Sequence, residues 1–134
     1  MTEPPLAPHF LCKHTVLNIH DAQLAEHGGR PGVLDEGLLE SALAQPMAVF
    51  GGHFLHEDLF AMAAAYVFHL TNNHAFEDGN KRTALATALV FLDVNGYEVA
   101  DEGTELADVV LEMLEQKREK AWVAAELRRR AQAK

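Results

Sequence analysis

Along residues 15–27, TVLNIHDAQLAEH, the positions Val16, Ile19, His20, Gln23, Leu24 and His27 recur at spacings of three and four, the period of one helix face. Thr15 stands where an N-cap would, and Gly28-Gly29 where the helix would end. RPGVLD reads as a loop, from which Asp35 caps a second helix, EGLLESALAQ, that stops before Pro46. The next stretch, PMAVFGGHFLHED, keeps no helical period. MAVF and HFL flank Gly51-Gly52, a pattern that suits a small hairpin or flap. Residues 57–72, EDLFAMAAAYVFHLTN, are apolar except at their ends, and a helix apolar all round is a buried helix. Residues 81–95 predict a second buried helix, stopped by Asn95-Gly96. YEVADEGT reads as a loop. Residues 104–116 and 119–131 read as two amphipathic helices, the second turning Trp122 and Leu127 inward. No βαβ alternation, internal repeat or linker interrupts this pattern. An all-α, bundle-like single domain of about six helices over 1–134 is expected, with 1–13 as a loosely ordered N-terminal segment.

Charge changes the picture at one place. The chain of 134 residues has a net charge of −9, with 49% apolar and 23% charged residues. Such a balance argues against binding nucleic acid by phosphate neutralisation and against an anionic membrane surface. A single cysteine, Cys12, excludes an intramolecular disulfide and a thiolate metal cluster. MTEPPLAPHF has no basic segment leading into an apolar run, and no stretch is long and apolar enough to span a bilayer, so a cytoplasmic protein is expected. Between Arg30 and Lys117 the only cations are Lys81 and Arg82, against fifteen Asp and Glu. Seven of the other nine cations lie from Lys117 onward and read as a solvated helix face and tail.

The isolated pair falls in HAFEDGNKRTA, residues 74–84, between the two apolar helices. Gly79 or Asn80 would open the second of them. A helix N-terminus presents unpaired N–H groups and partial positive charge. With Gly79 allowing close approach, Asn80 adding an amide donor and Lys81 and Arg82 adding charge, the outline is that of a phosphate site. Asp78 makes sense beside it if the phosphate arrives with Mg²⁺; the plainer alternative is a helix N-cap. Glu77 reads as solvent-facing. His74 suits a general base for a hydroxyl, or else a loop histidine bonded to backbone. Phe76 between them reads as a core anchor. No nucleophile-elbow serine, HExxH, Walker A or GxGxxG string is present.

HAFEDGNKRTA resembles the signature loop of Fic-domain proteins, in which His, Phe, an acid, Gly, Asn and Arg recur in this order. Its GNKRTA ending is similar to the Doc (death-on-curing) branch. IHDAQLAEHGGRPGVLDEGLLESALAQP resembles the N-terminal half of that branch, and ALVFLDVNGYEV its central helix and exit, so the resemblance covers roughly residues 14 to 130. It implies an all-α fold and transfer of a phosphate-containing group from ATP, with Mg²⁺, to a Ser, Thr or Tyr hydroxyl of a target protein. Position by position, it implies His74 as general base, Phe76 as loop anchor and Asp78 as Mg²⁺ ligand. Gly79, Asn80, Lys81 and Arg82 would hold the phosphates. The segment with Val49, Phe50, Gly51, Gly52 and His53 would be a flap that aligns the target peptide by strand addition; an ordinary apolar loop is the alternative.

Two positions depart from the GNGRxxR of AMP-transferring Fic proteins: Lys81 replaces the second glycine, and Leu85 the last arginine. Losing that arginine removes a bidentate phosphate clamp. The Doc branch resembles a kinase acting on elongation factor Tu, so phosphorylation is the expected reaction. AMP transfer is the alternative, and a nucleotide-binding module without turnover a second. The Ser/Thr-x-x-x-Glu-Gly/Asn string of self-inhibiting Fic proteins does not occur in the sequence, and an antitoxin protein encoded nearby is the expected partner.

Overall fold

The computed structural model describes residues 7–101 and 103–134. Six helices carry the fold: α1 (Lys13–His27), α2 (Glu36–Ala44), α3 (Leu59–Asn73), α4 (Asn80–Val94), α5 (Glu105–Glu115) and α6 (Lys120–Arg130). A 3₁₀ turn at Gln45–Met47 follows α2. Two small antiparallel pairs complete the chain: β1 (Val49–Phe50) with β2 (His53–Phe54), and β3 (Tyr97–Val99) with β4 (Ala131–Ala133). The all-α expectation therefore holds, with short hairpin elements at the margin. No helix among the described residues is long and apolar enough to cross a membrane.

The two apolar runs form the centre. Residues Met62 to Val67 of α3 are all buried, as are Ala84, Ala88, Phe91 and Leu92 of α4. Tyr66 and Phe91 meet with ring centroids 5.2 Å apart. One hydrophobic cluster continues from them to Val16 of α1, Leu39 of α2, Val110 of α5 and Leu127 of α6. Asp35 caps α2 as expected, accepting from the Leu38 amide. Asp58 does the same for α3 through the Ala61 amide. The hairpin expected between α2 and α3 is present. Gly51 and Gly52 both have positive φ (60° and 81°), the backbone that a two-residue turn between antiparallel strands demands.

Three expectations need correction. First, α1 begins at Lys13, so Thr15 lies inside the first turn; Cys12 is the N-cap and makes no side-chain capping bond. Tertiary contacts fix this start instead. The Leu11 amide donates to Tyr66 Oη at 3.0 Å, the His9 amide to Asn95 Oδ1 at 2.8 Å, and Phe10 stacks on Phe91. Of the segment 1–13 expected to be loose, the part from His9 to Leu11 is thus docked on the core; residues 1–6 lie outside the described residues. Second, YEV is a strand rather than loop, and α6 stops at Arg130. Ala131 turns extended (φ −89°, ψ 147°), and Tyr97 pairs with Ala133, Val99 with Ala131. The pairing lets Tyr97 and Val99 pack on the core while Glu98 points to solvent. Third, the basic tail is more than a solvated face. Arg130, with its side chain 14% exposed, sits between Glu126 and Glu105, and Arg128 reaches Asp58 at the start of α3.

Where α6 meets α3, Lys120 Nζ lies 3.0 Å from His69 Nε2. An ammonium has no lone pair, so Lys120 donates and His69 accepts as a neutral ring. Burial first, and then the charge of Lys120 and the proximity of His56, lower the His69 pKa from 6.5 to about 4. The unfolded chain takes up a proton near the ordinary value that the folded chain resists. The stabilising contribution is therefore complete above pH 6.5 and is lost as pH falls toward about 4. Urea midpoints are expected to fall over that window, and His69→Gln, which keeps an acceptor for Lys120, to flatten the profile. An unchanged pH profile in that variant would refute the assignment.

Candidate active site

The segment from His74 to Gly79 joins the two central helices, and its shape follows from how each end is held. Helix α3 ends with His74 itself in the left-handed region, φ 50° and ψ 50°, a conformation that costs a non-glycine residue on the order of 1 kcal/mol. This backbone turns the chain sharply and leaves the His74 side chain exposed. Two residues on, Phe76 is 1% exposed and forms a bridge with Val33. The Leu34 amide donates to Ala75 O and the Glu77 amide to Gly32 O, so the RPGVLD loop lies along this segment as a short strand-like partner.

The other end is closed by Asn80. Its Oδ1 accepts from the Phe76 amide at 3.0 Å and its Nδ2 donates to the Phe76 carbonyl at 2.9 Å. Both bonds are buried, so water does not compete for them. From α1, His20 is 3% exposed and stacks on Phe76, with centroids 3.9 Å apart and planes 12° apart. His20 Nε2 is 2.8 Å from the Asp78 carbonyl, which makes it the donor and fixes the proton on that nitrogen. Gly79, the N-cap of α4, has φ 78°, where a side chain would be strained.

The result is an open cleft of about 630 Å³ on which His74, Glu77, Asp78, Gly79, Asn80, Lys81 and Arg82 converge, with Thr71, Asn72 and Leu114 closing its sides. Phe76 lies beneath as the anchor the sequence suggested. The amides of the first turn of α4 carry its positive dipole end. Lys81 is exposed; Arg82 is parked, with Nη2 donating to Gly28 O at the end of α1, 3.1 Å away.

Several expected roles shift. Asn80 is not a free amide donor: its oxygen and one amide hydrogen close the loop, which leaves its backbone N–H and one side-chain hydrogen for a ligand. Asp78 is not an N-cap, since Gly79 holds that position. The Asp78 carboxylate, 42% exposed, accepts from the Arg30 amide at 2.7 Å and lies 3.8 Å from the Arg30 guanidinium. Glu77 does not simply face solvent: its side chain is 28% exposed and pairs with Arg30 Nη2 at 3.1 Å. The hairpin residues Val49, Phe50, Gly51, Gly52 and His53 are all exposed but do not line the cleft. His20 and Arg30 were not singled out from sequence. His20 read from sequence only as a position on the helical face of α1, and the Gly-Gly before Arg30 was the only sign of a close approach there.

Comparison with known proteins agrees with this architecture. The sequence model of the Fic/DOC family matches residues 10–92. A protein of Escherichia phage P1 named Protein kinase doc is 38% identical over 96 residues, 72% of this chain and 75% of that protein. Toxin Doc of Mycolicibacterium smegmatis is 47% identical over 73 residues, 54% of this chain and 56% of the relative. The chain belongs to the Fic/DOC family. Both matches cover more than half of the relative's own length.

Asn80→Ala removes both buried bonds to Phe76 and leaves an N–H and a carbonyl unpaired. At about 1–3 kcal/mol for each orphaned group, a loss of roughly 2–6 kcal/mol is expected in urea unfolding. Faster hydrogen exchange at the Phe76 amide is expected with it. Unaltered protection of that amide would show that something else closes the loop.

Proposed function

We propose that the chain is a Doc-like toxin that transfers the γ-phosphate of ATP to a hydroxyl of a target protein, with elongation factor Tu the first candidate. The observation that carries this reading is the convergence of His74, Asp78, Gly79, Lys81 and Arg82 on one cleft. Pure nucleotide binding needs the phosphate donors but has no use for an exposed imidazole facing the same space.

The donor set fits Mg²⁺. Asp78 and Glu77 offer hard carboxylate oxygens, and among the described residues no group of three His, Cys, Asp or Glu side chains gathers to hold a metal alone. An ion here would take its remaining ligands from phosphate and water, as Mg²⁺ does. Bound with the nucleotide, Mg²⁺ would neutralise charge on the phosphates. The α4 amides, Lys81 and Arg82 hold and orient the phosphate oxygens and stabilise the charge that builds on them. His74 takes the proton of the target hydroxyl as its oxygen bonds to phosphorus; the bond from phosphorus to the β–γ bridging oxygen breaks, and ADP leaves.

The orientation of the nucleotide follows the same physical logic. Leu85, in the position of the absent arginine, lines a groove of about 180 Å³ with Ala107, Val110 and Leu111, and Lys81 and Arg82 form its border with the cleft. The donors for phosphate thus lie on the His74 side, and an apolar wall lies beyond Arg82. A nucleotide laid along this gradient has its base toward Leu85 and its phosphate tail toward His74. This favours transfer of the γ-phosphate over AMP transfer, which needs the α-phosphate at His74. The hairpin, with Phe50 82% exposed and Val49 61% exposed, supports a role in gripping an extended target segment.

Parallel incubations of candidate target, Mg²⁺ and either γ-labelled or α-labelled ATP are expected to label the target from the γ position alone. Label from the α position would establish AMP transfer instead. His74→Ala is expected to keep nucleotide binding while losing transfer and growth arrest; an equally active variant would refute the mechanism. The partner is a small antitoxin encoded beside this chain. Co-expression of the adjacent small open reading frame is expected to restore growth, and toxicity indifferent to every neighbouring gene would count against it.

A further inference from the structure

The segment Gly28–Arg30, which runs from the end of α1 into the RPGVLD loop, touches both the arginine and the carboxylates of the cleft. Gly28 O accepts from Arg82 Nη2 at 3.1 Å, which is an oxygen acceptor where a phosphate oxygen would serve. The Arg30 guanidinium lies 3.1 Å from Glu77 Oε1 and 3.8 Å from Asp78 Oδ2, which is a cation where a metal ion would serve. One short segment therefore supplies, from within the chain, an acceptor for the arginine and a cation for the carboxylates.

We infer that Arg30 is a positioning residue of the cleft. Its guanidinium is the resident counter-cation of Asp78 and Glu77, and a divalent ion must displace it to bind. The inference rests on the reading of Asp78 as a metal ligand.

Two features separate the guanidinium from the rest of the segment. The Arg30 backbone N–H donates to Asp78 Oδ2 at 2.7 Å, a bond that every side chain at position 30 except proline retains. The carboxylate thus stays aimed when the arginine side chain is removed. The Arg30 side chain is also 78% exposed, so it is tethered by charge rather than by packing and is free to swing into solvent. An exposed pair of this kind is worth about 0.2–1 kcal/mol. That is enough to keep the carboxylates together without a metal and too little to prevent an incoming divalent ion from replacing it. The same magnitude sets the expected effect at about a 1.4- to fivefold change in metal affinity.

The test uses the full chain and Mn²⁺ alone as probe, following paramagnetic broadening of the backbone amides of residues 77–80 by NMR, without nucleotide or turnover. Arg30→Gln is expected to lower the Mn²⁺ concentration for half-broadening about 1.4- to fivefold. Lys81→Gln removes an equal charge from the same cleft without unpairing a carboxylate and is expected to shift it less. Asp78→Asn is expected to abolish the broadening in both the wild-type and the Arg30→Gln background. Equal midpoints for wild type and Arg30→Gln, with Asp78→Asn still abolishing the effect, would overturn the role of Arg30 and leave the metal-ligand reading intact. So would an equal shift from Lys81→Gln, which would reduce the effect to general charge. Broadening that survives Asp78→Asn would overturn both.

Discussion

The two hydrogen bonds between the Asn80 side chain and the backbone of Phe76 are the constraint on which the cleft depends. They span only four residues, but they join the end of one central helix to the beginning of the next. Between them the chain must leave α3, bury an aromatic ring and present the amides of α4 to solvent. An amide side chain donates from its nitrogen and accepts at its oxygen, so it can satisfy both backbone polar groups of a buried residue. Once Phe76 is held, its ring offers a flat face for His20, whose other contact, the Asp78 carbonyl, fixes the next corner. The cation-rich first turn and the carboxylate are thereby placed on either side of a glycine.

The scaffold around this clasp is built so that the loop has little freedom. Helices α3 and α4 each bury a long face in the core. The RPGVLD loop pairs with residues 75–77 as a strand would, and α1 delivers His20 and the Gly-Gly segment from a third direction. Precision at the cleft comes from these rigid neighbours, consistent with chemistry that works by positioning and charge. The long side chains Lys81, Arg82 and Arg30 reach the surface from this scaffold.

How much of this was legible in the sequence differs by element. Helices α3 and α4 were readable because an apolar run of their length has no other stable disposition in water. The hairpin was readable because two consecutive glycines between apolar triplets leave few alternatives. HAFEDGNKRTA was readable because its residue types and spacing match a family pattern over the whole loop. Strands β3 and β4 were not, since three residues offer too few alternations to separate a strand from a loop. Asn80 shows a subtler limit: it lies at the cleft, but a sequence carries no record of whether a side chain points outward to a ligand or back to its own loop. Arg30 was invisible for a related reason. Its partner Asp78 lies 48 positions away, and only the folded backbone brings the two together.

The left-handed backbone of His74 carries a consequence beyond the cleft. A helix ends most comfortably on glycine or asparagine in that conformation, so the fold by itself would favour either at position 74 over an imidazole. On the proposed mechanism, the protein therefore holds its general base at a place where stability and activity pull in opposite directions. A library screened only for heat resistance would drift toward glycine there, yielding a hardier protein with an intact cleft that lacks the proposed base.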